Sequence, residues 1–255
     1  MSSLRFLLQR LRDTALALSL LATLGAQAAP TPACSARSGP VAPAVVELYT
    51  SEGCSSCPPA EHWLSALQGR SGVVTLAFHV DYWDNLGWKD RFAQPQFTQR
   101  QNAGMRTNGA RFAYTPQVVL DGRDTPDWHA LPAIASPPAS PVAPVDLQLD
   151  RAADGLTLTV SPHAGAPKSL SGYVAVVDDG LQTRVGAGEN RGATLHQDAV
   201  VRELLPWTAT GPQPATLHFA TTAPAEAGAT RRWVAVATDG ASGRPVQALT
   251  LACAR

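Results

Sequence analysis

The sequence predicts an α/β unit followed by an antiparallel, β-sandwich-like part, and three observations carry that expectation. Between Val41 and Asp124, apolar runs rich in β-branched residues alternate with helix-like stretches, the rhythm of strands joined by helical crossovers. Pro126, Pro132, Pro137, Pro138, Pro141 and Pro144 then crowd one stretch, a composition that sustains neither a helix interior nor an inner strand. Beyond it, short apolar runs follow one another with turn residues between them. The expected organisation is a leader over residues 1–28, an α/β domain over 41–124, a proline-rich connection over 125–144 and a β-rich domain over 145–255.

The leader reads as a secretory signal peptide. Arg5, Arg10 and Arg12 precede an apolar stretch from Ala15 to Leu24, and the small residues Ala26-Gln27-Ala28 place cleavage before Ala29. The apolar core is too short to cross a bilayer as a stable helix, and an uncut signal anchor is the alternative. No later segment is long and apolar enough to span, so an exported chain free of the membrane is expected, in the periplasm or outside the cell. The full chain balances 20 Lys+Arg against 20 Asp+Glu. The leader carries three arginines against Asp13, so its removal leaves the remainder mildly acidic, which argues against nucleic acid or an anionic membrane as partner. Cys34, Cys54, Cys57 and Cys253 all survive cleavage and enter a compartment where disulfides persist. Of their three pairings, Cys34 with Cys253 ties the two ends of the mature chain together and leaves Cys54 and Cys57 as a local unit. A free or intermolecular Cys34 or Cys253 is the alternative.

Val45 to Tyr49 reads as a buried strand, Glu61 to Gln68 continues a helix begun at Pro58-Pro59, and Val73 to Val80 is a second strand. Phe97 to Arg106 is helix-like with Gly109 near its end, and Gln117 to Leu120 is a short strand closed by Asp121-Gly122. In the second half, Val145–Leu149, Leu156–Val160, Tyr173–Val177, Leu217–Thr221, Trp233–Thr238 and Val246–Leu251 read as strands. Leu156-Thr157-Leu158-Thr159-Val160 alternates as a strand with one wet face does. Thr194 to Leu205 is compatible with strand or helix.

Cys54 and Cys57 stand at C-x-x-C spacing between a strand and a helix start. A thiolate is the nucleophile in disulfide exchange, and free amide N–H groups at a helix start stabilise it. Cys54, ahead of the helix, is therefore the expected accessible attacking thiol, near the N–H groups of Ser56 and Cys57. Cys57 is the more enclosed resolving thiol.

Strand, C-x-x-C at a helix start, strand, helix and then Tyr114-Thr115-Pro116-Gln117 before another strand resembles the thioredoxin-like superfamily. That resemblance implies a cis Pro116 facing the C-x-x-C, with the backbone of Thr115 receiving an extended substrate. The chain is more closely similar to a bacterial family of exported proteins known only as a domain of unknown function, through ELYTSEGCSSCPPAE, FHVDYWDNLGWKD, RFAYTPQVVLDGR and GENRGATL. The latter likeness implies a thioredoxin-like fold and export, and no substrate. Gly53 stands where ordinary thioredoxins carry tryptophan, and Ser55-Ser56 where they carry Gly-Pro. Hydroxyls between the sulfurs are able to hydrogen-bond a thiolate and make the disulfide more oxidising.

Glu47 lies inside an apolar strand, either as a buried proton acceptor for Cys57, as the buried acid of thioredoxins implies, or as a partly exposed acid held by a cation. His79 and Asp81 follow the second strand, where α/β sheets bind ligands. His79 either shuttles protons for the thiols or is a hydrogen-bonded structural residue, and Asp81 and Asp84 are better suited to capping the next segment. Tyr82, Trp83, Trp88 and Phe92 form either a peptide-binding wall or ordinary core, and Gly188 to Gly192 reads as a polar turn, with contact to the first domain as the lesser alternative. Three functions compete. The first is a thiol-disulfide oxidoreductase acting on protein or peptide thiols without a cofactor. The second is a Cu(I)- or Zn(II)-handling module using Cys54, Cys57 and His79. The third is a non-catalytic exported binding protein with an inert disulfide.

Overall fold

The computed structural model describes residues 34–131 and 142–253, so the expected signal peptide and half of the proline-rich connection lie outside the described residues. In chain order the elements are β1 (Cys34–Arg37), β2 (Ala44–Thr50), α1 (Pro58–Ala66), β3 (Val73–His79), α2 (Pro95–Asn108), β4 (Gln117–Leu120) and β5 (Arg123–Asp124). There follow β6 (Val145–Ala152), β7 (Gly155–Pro162), β8 (Ser169–Asp179), β9 (Leu181–Arg184), β10 (Thr194–Gln197), β11 (Val200–Thr210), β12 (Ala215–Phe219), β13 (Thr230–Asp239) and β14 (Pro245–Leu251).

Local chemistry accounts for the helix ends. Pro58 and Pro59 open α1, where a missing N–H costs little, and Ala60 and Leu64 turn one stripe inward. Pro95 opens α2, Phe97 and Gln101 are buried one turn apart, and Gly109 closes it at φ 91°, a conformation that favours glycine.

The sheet overturns the expected fold class. The structure is not an α/β thioredoxin-like domain followed by a separate antiparallel sandwich. Strands from both halves form one eight-stranded mixed sheet in the order β14-β13-β8-β11-β3-β2-β4-β5. β2 and β3 run parallel from Ala44↔Val73 to Thr50↔His79. β3 then meets β11 through the Val200↔Ala77 bridge, and the remaining pairs of this sheet are antiparallel. The cause is the second edge of β3. That strand is buried from Val74 to His79 and needs a neighbour for its backbone, which β11 supplies where the Ala77 N–H donates to the Ala199 carbonyl at 2.7 Å.

A second sheet, β1-β6-β7-β12, packs on the β8, β13 and β14 part of the first in a sandwich-like arrangement. β8 feeds two cores by alternation. Tyr173, Ala175 and Val177 join the core of β2, β3, α1 and α2, whereas Val174 and Val176 face Leu147, Leu149, Leu158 and Val160 of the second sheet. β13 repeats the pattern, with Val234 and Val236 on one side and Trp233 and Ala235 on the other. A strand buried on both faces reads as a continuous apolar run, which is why Tyr173–Val177 shows no alternation in sequence. Each fully buried leucine or phenylalanine contributes about 1.5–3 kcal/mol to such a core. At the rim of the second core Cys34 is disulfide-bonded to Cys253, Cα–Cα 5.7 Å, joining β1 to the segment after β14.

Candidate functional site

The loop from Ser51 to Cys57 connects the carboxyl end of β2 to α1. Its backbone turns twice, with the Cys54 N–H donating to the Ser51 carbonyl at 3.1 Å and the Cys57 N–H to the Cys54 carbonyl at 3.2 Å. Cys54 and Cys57 are disulfide-bonded with Cα atoms 5.5 Å apart, and Cys57 is the N-cap of α1. Cys54 Sγ lies 3.4 Å from Ser56 Oγ, which places a hydroxyl where it can donate to a thiolate.

Two expectations about these sulfurs change. Cys54 is not accessible: both cysteines are 0% exposed, while Ser55 and Ser56 between them face solvent. The amide supply is also smaller than a generic helix start, since Pro58 and Pro59 carry no N–H and the Cys57 N–H is taken by the Cys54 carbonyl. The loop between β9 and β10 reaches over this region from the other half of the chain. Glu189 accepts the Ser55 N–H at 3.0 Å and the Ser55 O–H at 2.7 Å. Asn190 Nδ2 donates to the carbonyls of Glu52 and Cys54 at 2.9 and 3.0 Å.

Around Thr50, Glu52 and the first turn of α1 sits a group of buried ionisable residues of which sequence reasoning named only His79 as a candidate. Its Nδ1 meets Asp90 Oδ2 at 2.6 Å, and its Nε2 is buried with no hydrogen-bond partner. Asp90 also accepts the N–H groups of Glu52 and Phe92 at 2.9 and 2.8 Å. Glu61, on the first turn of α1, accepts the Thr50 O–H at 2.7 Å. Burial raises its carboxyl above the ordinary range, against the opposing pull of His79. The Glu52 side chain accepts the Trp88 indole N–H at 2.8 Å and a Gln197 amide N–H at 3.3 Å.

Glu47 is placed elsewhere. Its carboxylate pairs with Arg100 of α2 and accepts the Tyr173 O–H, so the role of proton acceptor for Cys57 has no support in its contacts. Alternation along β2 explains this. Thr50 faces α1 and Glu61, and Glu47, three residues earlier, faces α2. Asp81 accepts the Thr98 O–H on α2 and Asp84 accepts the Asp90 N–H at 3.1 Å, so both are structural, but neither caps the next segment, where Trp83 stands at the N-cap without a side-chain cap bond.

The remaining sequence-selected residues meet at Trp83. Its indole N–H donates to Thr115 Oγ1 at 2.8 Å, and the Thr115–Pro116 bond is cis. A Cβ on Gly53 would come within 3.2 Å of Trp83 Cβ, so Trp83 links the residue before Cys54 to the residue before Pro116. Tyr82 is 37% exposed beside Trp83 with ring centroids 6.5 Å apart, whereas Phe92 is core against His79. Glu61 and Asp90 escaped sequence reasoning because each has an ordinary local reading, first-turn acid and loop acid, whereas Glu189 and Asn190 make the contact with the first half of the chain that was the lesser alternative to a polar turn.

Cys54, Cys57 and His79 do not present a ready ligand set, because the sulfurs are bonded to each other and Asp90 holds His79 Nδ1. Among the described residues no group of three or more His, Cys, Asp or Glu is arranged to hold a metal ion, and no helix is long and apolar enough to cross a membrane.

No curated protein matches the chain. Among solved structures it is similar to a crystallised protein of Agrobacterium tumefaciens, with 24% identity over 84% of this chain and 96% of that one and a TM-score of 0.62. It is also similar to HBP35 of Porphyromonas gingivalis, with 16% identity over 84% of this chain and 76% of that one and a TM-score of 0.50. At these identities the likeness is one of fold. Residues 45–237 match the family described as protein of unknown function (DUF1223), and the chain belongs to that family.

Proposed function

We propose that the protein is an exported thiol-disulfide oxidoreductase whose Cys54–Cys57 pair exchanges with protein or peptide thiols once the β9–β10 loop is displaced. The observation that carries this reading is the setting of the disulfide. It spans three residues at the mouth of α1, covered at Ser55 by side-chain hydrogen bonds from one surface loop. Glu189 is exposed, so water competes for these bonds and the loop is of the kind that opens locally.

In the forward step a substrate thiolate attacks Cys54 Sγ, the Cys54–Cys57 bond breaks and a mixed disulfide forms, with Cys57 leaving as thiolate and taking a proton. A second substrate thiolate then attacks the substrate sulfur, closing a substrate disulfide and releasing Cys54. Two electrons pass from the substrate dithiol to the cystine, and the reverse sequence reduces a substrate disulfide. Ser56 Oγ is the near hydroxyl for the Cys54 thiolate. The exposed Tyr82 and the Trp83–Thr115–Pro116 unit form the adjoining wall for an extended peptide. Export is supported by the Cys34–Cys253 bond, of a kind that persists in oxidising compartments.

A second reading is favoured by one observation, the complete burial of both sulfurs. In it Cys54–Cys57 staples the loop and the protein binds rather than reacts. Mixing the purified protein with a reduced peptide dithiol separates the two. The exchange reading expects stoichiometric peptide oxidation, lost in Cys54→Ser, and an unreacted peptide supports the staple.

A further inference from the structure

We infer that Glu189 is a positioning residue for the exchange reaction, part of a latch with Asn190 that closes on Cys54 while that sulfur is in the disulfide and releases when it becomes a thiolate. The inference rests on the exchange reading and adds what controls access to the site.

The loop is a preformed unit. At its base the Val185 N–H donates to the Ala193 carbonyl at 2.9 Å and the Gly192 N–H to the Val185 carbonyl at 2.8 Å, and the Ala193 N–H reaches the Asn190 carbonyl at 3.0 Å. Gly188, at φ 72°, backs so closely on Trp88 that an added Cβ would stand 3.1 Å from Trp88 Cβ. The tip therefore presents Glu189 and Asn190 in a fixed pose. Together they grip two peptide groups around Cys54: Asn190 holds the carbonyl of the Glu52–Gly53 peptide, and the Cys54–Ser55 peptide is held at its carbonyl by Asn190 and at its N–H by Glu189.

That last N–H is the contested group. An anion on Cys54 is stabilised by amide donors immediately following it. Pro58 and Pro59 supply none, and the Cys57 N–H is engaged by the Cys54 carbonyl, which leaves the donors of Ser55 and Ser56, and Glu189 holds the Ser55 pair. In the disulfide Cys54 is neutral, and Glu189 takes both Ser55 donors without competition. Reduction puts a second anion on the residue next to these donors, so in this proposal sulfur and carboxylate compete for them and repel each other. The two-electron step balances as follows. A dithiol reductant transfers two electrons, the Cys54–Cys57 bond breaks and an S–S bond closes within the reductant. Of the two protons the reductant gives up, one settles on Cys57 and one goes to solvent, leaving Cys54 as thiolate. Coupling is reciprocal: if the thiolate weakens the latch, weakening the latch favours reduction.

The test is hydrogen–deuterium exchange of the full chain, oxidised and after treatment with dithiothreitol, read on the segments 52–58 and 185–193. The expected result is exchange about tenfold or more faster in both segments on reduction, the size of one charge-assisted hydrogen bond lost. Glu189→Ala is expected to speed reduction of the disulfide and shift its equilibrium with dithiothreitol toward the dithiol, each by about tenfold. Glu189→Gln, which keeps an acceptor and removes the charge, is expected to shrink the difference between redox states. The Cys54→Ser/Cys57→Ser double variant carries no sulfur anion and is expected to keep the loop as protected as in the oxidised protein. If the disulfide reduces while loop exchange stays unchanged, the latch is wrong and the exchange reading stands. An open loop in the double variant overturns the charge mechanism. A disulfide that resists dithiothreitol even in Glu189→Ala overturns both.

Discussion

His79 Nδ1 lies 2.6 Å from Asp90 Oδ2, and the two side chains are 1% and 0% exposed. Burial by itself pushes the imidazole down. The charge and hydrogen bond of Asp90, with the Glu61 and Glu52 carboxylates, outweigh it and carry His79 up to about 8. Asp90 moves the other way, since His79 and the N–H groups of Glu52 and Phe92 outweigh the upward push of burial. A histidine raised on folding stabilises fully below its unfolded value of about 6.5, and that stabilisation is lost as pH rises through the folded value. Glu61, also raised, acts with the same sign. The protein is therefore expected to lose about 2 kcal/mol between roughly pH 6 and pH 9, with His79→Gln flattening the profile. Urea titrations across that range check it, and a wild-type profile without this slope would contradict the charged pair.

Glu47→Ala leaves the Arg100 guanidinium without its carboxylate and Tyr173 without its acceptor. The expected cost is about 3 kcal/mol of stability, since removing one partner of a largely buried pair strands the other. Dithiothreitol reduction of Cys54–Cys57 is expected to be unchanged, because Glu47 faces away from α1. Urea titration and thiol labelling measure the two effects, and a changed reduction rate would return Glu47 to the redox site.

Cys34 and Cys253 are separated by 219 residues in sequence. Closing so long a loop is expected to stabilise by about 3–5 kcal/mol, so the Cys34→Ser/Cys253→Ser variant melts about 10 °C lower. Scanning calorimetry decides it, and a melting temperature within a degree or two of wild type would show that β1 is held by pairing and packing alone.

Thr115 Oγ1 accepts the Trp83 indole N–H. Thr115→Val removes that acceptor, loosening the wall beside the disulfide without touching a sulfur. Peptide oxidation is expected to show KM raised about threefold to tenfold with kcat little changed, the size of one hydrogen bond. Equal KM values would remove Trp83 from peptide recognition.

Much of the secondary structure is legible in the sequence, because the signals are local. Leu156 to Val160 alternates and forms β7, Pro58-Pro59 opens α1, and Gly109 closes α2. The fold class is not legible, because it turns on the bridge between Val200 and Ala77, far apart in sequence, within a segment whose pattern suits helix and strand equally. The C-x-x-C was visible from spacing alone. Its cover was legible only as the lesser reading of the Gly188 to Gly192 turn: Glu189 meets Ser55 because β9 and β10 carry a nine-residue loop, 185–193, across to α1. Glu61 looked like an acid complementing a helix dipole, and only the third dimension sets it beside Thr50 and near His79.

The central claim is that Cys54–Cys57 works as a redox pair inside a folded protein, and its reduction potential under native conditions tests that most directly. Equilibration with defined dithiol buffers, with circular dichroism recorded alongside, is expected to show reversible reduction of this disulfide alone. The expected potential lies between about −120 and −270 mV, with the fold retained. A potential below about −300 mV, or reduction only as the protein unfolds, would mean that the bond is a staple.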